Sequence, residues 1–280
     1  MTERRPTKLS RAISNTWKKI VPNFNARWLA PWWVSQSQKG EALIRARTLQ
    51  VHRNSPVTVR PDVLFIHVPK AAGTSIFTLL SEHIGMTKHN VLEELVDMSD
   101  TELAQLKNVS FGHLTSDSLF ELGVLSSAQL ESAFSFGFVR DPYARAVSLF
   151  AYLRRQRAIP NVWSFDSFLK AIAREKPEAG LWNVIGLSQA APMVQWMRPR
   201  TWHGPSLTLK FEDLEGSLKV LSTHLPIPSE LPHLNSSRRA PKPVAVSPYG
   251  LDFIRDFYAE DFAAFDYSLD LPEGLFDVKK

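Results

Sequence analysis

The chain has no cysteine among its 280 residues. Disulfides, thiolate metal sites and cysteine nucleophiles are therefore excluded, and the composition suits a reducing compartment. No run of about 18 apolar residues occurs, so no membrane-spanning helix is expected. The N-terminus opens with basic residues but has no apolar stretch behind them, so no secretory signal is expected. Internal repeats and long low-complexity tracts are also missing. Acidic residues are scarce at one end. Residues 1–60 carry 12 Lys/Arg against 2 Asp/Glu, a balance of +10, whereas 61–280 carry 21 against 26, a balance of −5. The net charge of +5 thus arises wholly in the first segment. A nucleic-acid-binding domain spreads basic residues over its folded body, so this distribution argues against nucleic acid as a partner.

What is present divides the chain into a basic, Trp-rich N-terminal arm, 1–60, and a folded domain, 61–280. The arm holds Trp17, Trp28, Trp32 and Trp33, four of the eight tryptophans. Ile13, Trp17, Ile20 and Phe24 lie at helix-like spacing, but Pro22 interrupts them. Two readings stand. The arm rests on an anionic membrane surface, or it packs its tryptophans on the body or on a second subunit. The short, broken apolar face favours packing.

In the body, strands alternate with helices. Val63–Val68, Val109–Phe111, Ala133–Val139 and Ser206–Phe211 read as strands. Helices are predicted over Thr74 to Ile84, Glu93 to Leu106, Tyr143 to Gln156, Phe165 to Arg174, Trp182 to Met197, Leu214 to His224 and Tyr249 to Phe262. Leu92, Leu95, Leu103 and Leu106 are the candidate buried positions of the second helix. Leu119 to Leu130 reads as a turn with a short helix, and Pro226 to Pro248 as loop. The alternation predicts an α/β fold, a central parallel β-sheet flanked by helices on both faces.

Two segments carry chemistry. The first is Pro69-Lys70-Ala71-Ala72-Gly73-Thr74-Ser75, a small-residue loop between a buried strand and a helix. Backbone N–H groups at such a helix start close around a phosphate. The order is not that of a Walker A motif, which needs two glycines followed by Lys and Ser/Thr. Here Lys70 precedes Gly73, and Gly73 is expected to let the backbone approach the ligand. The second segment runs from Phe138 to Ser148. Arg140 ends a strand, where open α/β sheets place their ligands. Asp141 and Pro142 form a cap and a first helical residue. Arg145 and Ser148 are three apart and share a helix face. Arg140 with Ser148 makes a second candidate phosphate grip.

Together the segments resemble the sulfotransferases that use 3′-phosphoadenosine 5′-phosphosulfate (PAPS). The closest likeness is to the carbohydrate group containing the heparan sulfate 2-O-sulfotransferases and their bacterial relatives. The resemblance spans roughly Asp62 to Leu269, leaves out residues 1–60, and implies a P-loop-like nucleotide (sulfotransferase) fold. It assigns Lys70, Ala71, Gly73, Thr74 and Ser75 to the 5′-phosphosulfate, and Arg140 and Ser148 to the 3′-phosphate. Phe111-Gly112-His113-Leu114 is similar to the family's segment bearing the catalytic base, which makes His113 the candidate base. Ser237 and Arg238, in Asn235-Ser236-Ser237-Arg238, resemble a late loop that closes over the nucleotide. Leu209-Lys210-Phe211-Glu212-Asp213-Leu214 and Asp261–Tyr267 are lesser likenesses.

Sulfuryl transfer is an in-line displacement at sulfur. A histidine base serves the acceptor hydroxyl, and Lys70 serves the leaving oxygen. No metal is required, and no His/Asp/Glu spacing suits one. His67, His83 and Glu94 are rival bases. Trp163, Trp182, Trp196 and Trp202 are candidate platforms for a carbohydrate acceptor, or core. Arg154, Arg155 and Arg157 contact an anionic polysaccharide or complement a helix C-terminus. Two other functions stay open: a nucleotide phosphotransferase, and a non-catalytic scaffold binding a glycan or membrane. Eukaryotic relatives are Golgi proteins held by an N-terminal membrane helix. This chain shows none, so a cytoplasmic protein is expected, with peripheral contact at the inner membrane and a homodimer left open.

Overall fold

The computed structural model describes residues 59–89, 98–121, 124–179, 186–200, 202–230 and 243–279. The arm lies outside them except at its end. There Val59 is fully buried, and its N–H donates to the Val124 carbonyl at 3.0 Å. Among the described residues no helix is long and apolar enough to cross a membrane.

The central sheet has five parallel strands, β1 (Val63–Ile66), β2 (Thr87–Lys88), β3 (Asn108–Ser110), β4 (Phe134–Val139) and β5 (Leu207–Lys210). Their order is β2-β3-β1-β4-β5. The chain moves outward from β1 to one side, then crosses back and continues on the other. The switch point therefore falls at β1, beside β3 and β4, and open sheets of this kind take ligands just outside the strand ends there. Every residue of β1 is buried, as a central strand covered on both faces requires.

Helices follow the strands, and most start on the caps that the sequence supplies. They are α1 (Gly73–Ile84), α2 (Asp100–Ala104), α3 (Ser116–Glu121), α4 (Ser127–Ser132), α5 (Pro142–Arg155), α6 (Phe165–Glu175), α7 (Val194–Met197), α8 (Leu214–Ser222), α9 (Pro248–Phe257) and α10 (Ala259–Ala264). Ser99 with Glu102 and Ser126 with Gln129 form capping boxes for α2 and α4. Asp141 caps α5 through the Ala144 N–H at 2.8 Å, with Pro142 at the first turn. One hydrophobic core surrounds the sheet. A second joins α5, α6, α9 and α10 around Tyr143, Phe168 and Ile254.

Several predicted elements are corrected. The first strand ends at Ile66, and His67 and Val68 already turn away, with the Val68 N–H on the Ile66 carbonyl at 3.2 Å. The strand β2 was not foreseen, because two residues carry no readable period. Of the predicted Glu93–Leu106 helix only Asp100–Ala104 forms within the described residues. Leu103 is buried there, while Leu92 and Leu95 lie outside those residues. Of the predicted Trp182–Met197 helix, the described residues form a 3₁₀ turn, Gly186–Ala190, followed by α7, because Pro192 breaks the run. The Tyr249–Phe262 helix is two helices, α9 and α10, parted at Tyr258, which leaves helical geometry at φ −106°. The Pro226–Pro248 loop contains a strand, β6 (Val244–Val246), paired in parallel with β7 (Phe276–Val278). Neither strand is long enough to show an alternating pattern.

Candidate active site

The parallel strands deliver one cationic or imidazole group each to the same sheet edge. Lys88 closes β2, His113 follows β3, Lys70 follows β1, Arg140 follows β4 and Lys210 closes β5. Lys70 and Arg140 lie in the two segments singled out by sequence, and His113 and Lys210 in the further segments of the resemblance. Lys88 was missed, because its strand was.

The loop after β1 has an unusual backbone. Lys70 and Ala72 both sit at φ +66°, in the left-handed region. For residues with a Cβ this costs about 1–3 kcal/mol each, and such strain gathers at functional sites. Ala72 heads α1 without a side-chain cap. The first N–H groups of α1 are thus left for another acceptor. Thr74 is exposed and Ser75 half-buried on that first turn, while Ala71 is buried. The left-handed residues of the loop are Lys70 and Ala72, and Gly73 is buried at the first position of α1. A Cβ there would overlap the His67 ring, meeting its Cε1 at 2.6 Å. The glycine makes room for a histidine.

Lys70 is half-buried with its Nζ 4.3 Å from the centre of the Tyr152 ring. Burial lowers its pKa first, and Arg155 and Arg140 lower it further. Arg140 lies 4.3 Å above the Phe211 ring and donates from Nη1 to the Lys70 carbonyl at 3.3 Å. Its Nε is buried without a partner. Nearby Glu212 is spent on the Asp141 N–H at 2.9 Å and the Tyr267 hydroxyl at 2.8 Å. Three cations that push on one another, with an orphaned guanidinium N–H among them, make a place for a polyanion. Arg154, Arg155 and Arg157 are exposed at the end of α5, and Arg155 stacks 5.8 Å from Tyr152.

Ser148 is half-buried on α5, three residues after Arg145. Arg145 itself does not face a ligand. It is 1% exposed and donates to three carbonyls: Nε to Pro69 at 3.0 Å, and Nη2 to Gln189 at 2.7 Å and Ala191 at 2.9 Å. It clamps the first anion loop to α5. A sequence signal for this clamp was an arginine on an otherwise apolar helix face.

His113 sits after Gly112, whose φ of +59° turns the chain back toward β1. Its Nδ1 lies 2.9 Å from the His67 carbonyl. A carbonyl only accepts, so Nδ1 carries the proton and Nε2 keeps a free lone pair. Burial lowers the pKa of His113 from 6.5 to about 4, and Lys88, Lys70 and Arg145 push the same way against the helpful His67 bond. Its own carbonyl accepts the Trp196 Nε1–H at 2.9 Å. Trp196 belongs to α7, whose first N–H groups at Met193 and Val194 are bound by the fully buried Asp261 at 2.8 and 2.9 Å. A relay of packed groups thus fixes the imidazole from behind.

The rivals fare differently. His83 is exposed and its Nδ1 donates to the Leu79 carbonyl at 2.9 Å. His67 is buried, with its pKa held well below the ordinary value by burial and then by His113. Glu94, Ser237, Arg238 and Trp182 lie outside the described residues. Trp196 and Trp202 are core, and Trp202 donates to Ser116 at 2.9 Å. Trp163 is half-buried.

The architecture is an α/β fold, a central parallel sheet flanked by helices, with two candidate anion-binding loops at adjacent strand ends. The chain matches the model of the sulfotransferase family over residues 55–268, and so it belongs to that family and is a sulfotransferase. The fold is similar to that of a sulfotransferase from Alicyclobacillus acidocaldarius, at 15% identity and a TM-score of 0.42 over 76% of this chain and 98% of that one. Mouse sulfotransferase SULT7A1, solved complexed with PAP, is similar at 17% identity and a TM-score of 0.39 over 64% of this chain and 62% of that one. The comparison with curated proteins gives no match.

Proposed function

We infer that this chain moves a sulfuryl group from PAPS to a hydroxyl of a carbohydrate, with His113 as the base. The observation that carries the reading is the His113 imidazole, held as the Nδ1–H tautomer on the sheet edge beside Lys70. The residues fit the donor's charge. An uncapped α1 start suits a 5′-phosphosulfate, and the orphaned Nε of Arg140, with Ser148, suits a 3′-phosphate one strand away. When bound, the donor supplies an activated sulfuryl group.

The chain's own residues do the rest. His113 Nε2 takes the proton of the acceptor hydroxyl, a step worth about two to four orders of magnitude. Its low pKa keeps it unprotonated at neutral pH. Lys70 and the N–H groups of Gly73, Thr74 and Ser75 meet charge on the leaving phosphate. Most of the rate then comes from placement and fixed dipoles. The strand order puts Lys88 and His113 on the far side of β1 from Arg140, so the acceptor enters from the β2–β3 side. The exposed Arg154, Arg155 and Arg157 favour an anionic glycan chain over a small phenol. The basic arm, 1–60, leaves peripheral contact with an anionic membrane as part of the proposal, for a protein working in the cytoplasm.

The test pairs two measurements. Calorimetry with 3′-phosphoadenosine 5′-phosphate should give tight binding that Lys70→Ala and Arg140→Ala each weaken at least tenfold. Radiolabelled sulfate should then pass from PAPS to polysaccharide or glycolipid acceptors in preference to phenols. Binding of ATP with Mg²⁺ but not of the adenosine bisphosphate would instead favour a phosphotransferase.

A further inference from the structure

His67 has no role in the steps above, yet it touches both halves of the site. It leaves β1 and is 5% exposed. Its ring stacks on Phe65 with centroids 5.4 Å apart, and meets the His113 ring edge-on with centroids 4.4 Å apart. On another side it fills the space that a side chain at Gly73 would take, at the first residue of α1. Its carbonyl accepts the Nδ1–H of His113. Its own Nδ1 is buried with no partner. A buried polar atom left unmet is destabilising, whereas an apolar side chain in the same place would bear no such cost. The imidazole is therefore retained at a cost to the fold.

We propose that His67 is a positioning residue whose ring, wedged between Gly73 and His113, sets the spacing between the anion-binding helix start and the base. This rests on the reading of His113 as the base. A shift of the His67 ring moves His113 directly through the ring contact and through the shared carbonyl. Interactions this close couple when mutated, whereas independent sites add.

The experiment is a double-mutant cycle of Gly73→Ala, His67→Ala and the pair. It is read by kcat for sulfate transfer, by affinity for 3′-phosphoadenosine 5′-phosphate, and by the His113 titration in NMR. Gly73→Ala drives a methyl group into the ring and should lower kcat at least tenfold. Removing the ring in the double variant should recover at least part of that loss. His67→Ala should lower kcat at least tenfold, change affinity for the bisphosphate less than threefold, and raise the His113 midpoint by at least 0.5 pH unit. Losses that simply multiply, or a His113 midpoint that stays put, would overturn the proposal. If an alanine variant fails to fold, His67→Gln is read in the same way. The NMR readout needs neither donor nor acceptor. If the wild type binds no bisphosphate and transfers no sulfate, the donor reading fails while the coupling of His67 to His113 is still measured.

Discussion

Replacing Arg145 with methionine removes a buried fork that holds three carbonyls, those of Pro69, Gln189 and Ala191. Each carbonyl left unmet in the interior costs about 1–3 kcal/mol. Three of them sum to about 3–9 kcal/mol. Methionine also spares the fold the desolvation of a guanidinium, which returns several kcal/mol. The expected net loss is about 2–4 kcal/mol. Arg145→Lys keeps the charge, but a point donor cannot span three acceptors in two directions, so it should lose a similar amount. Urea unfolding of the three proteins measures this from the midpoints at constant slope. Because one of the carbonyls begins the anion loop, affinity for 3′-phosphoadenosine 5′-phosphate should fall more than tenfold in both variants. A loss under about 0.5 kcal/mol, the level of an ordinary surface change, together with unaltered affinity, would refute the clamp.

Three further outcomes follow from the geometry. Ala72→Gly removes the left-handed strain at φ +66° and should stabilise the fold by about 1 kcal/mol, seen as a higher urea midpoint. His113 has a folded pKa below its unfolded value, so it adds stability that is full above pH 6.5 and is lost as pH falls from 6.5 toward about 4. At about 1.4 kcal/mol for each pH unit, that loss is about 3 kcal/mol, and His113→Asn should show a correspondingly flatter dependence of stability on pH. Lys88→Met removes the cation that presses hardest on His113, so the acid limb of kcat/KM should move to higher pH; a limb that does not move contradicts the row of groups along the sheet edge.

Much of this arrangement was legible in the chain. Val63–Ile66 and Phe134–Val139 are long apolar runs closed by loops of strong local chemistry, Pro69–Ser75 and Arg140–Pro142. Runs of that kind become central parallel strands, and their ends become the site. His113 was legible from its place between those loops and from the resemblance of Phe111-Gly112-His113-Leu114 to the family's base-bearing segment. Its tautomer was not, because the His67 carbonyl that fixes it is 46 residues away. The packing at Gly73 was hidden for a related reason, because the His67 ring that lies against it is brought there only by the fold. The burial of Arg145 was not legible, because helix spacing says which face a residue shares, not whether that face is buried. The short strands β2, β6 and β7 carry too few residues for a period, and their partners lie far off in sequence. Lys88 was lost with β2.

The most direct test of the central claim is single-turnover transfer of labelled sulfate by His113→Asn. Asparagine can still donate to the His67 carbonyl, so the loop should hold its shape, but it offers no base at the position of Nε2. Transfer should fall by about two to four orders of magnitude, while affinity for 3′-phosphoadenosine 5′-phosphate changes less than threefold. Transfer within tenfold of the wild type would contradict the account, because the acceptor proton would then leave by another route.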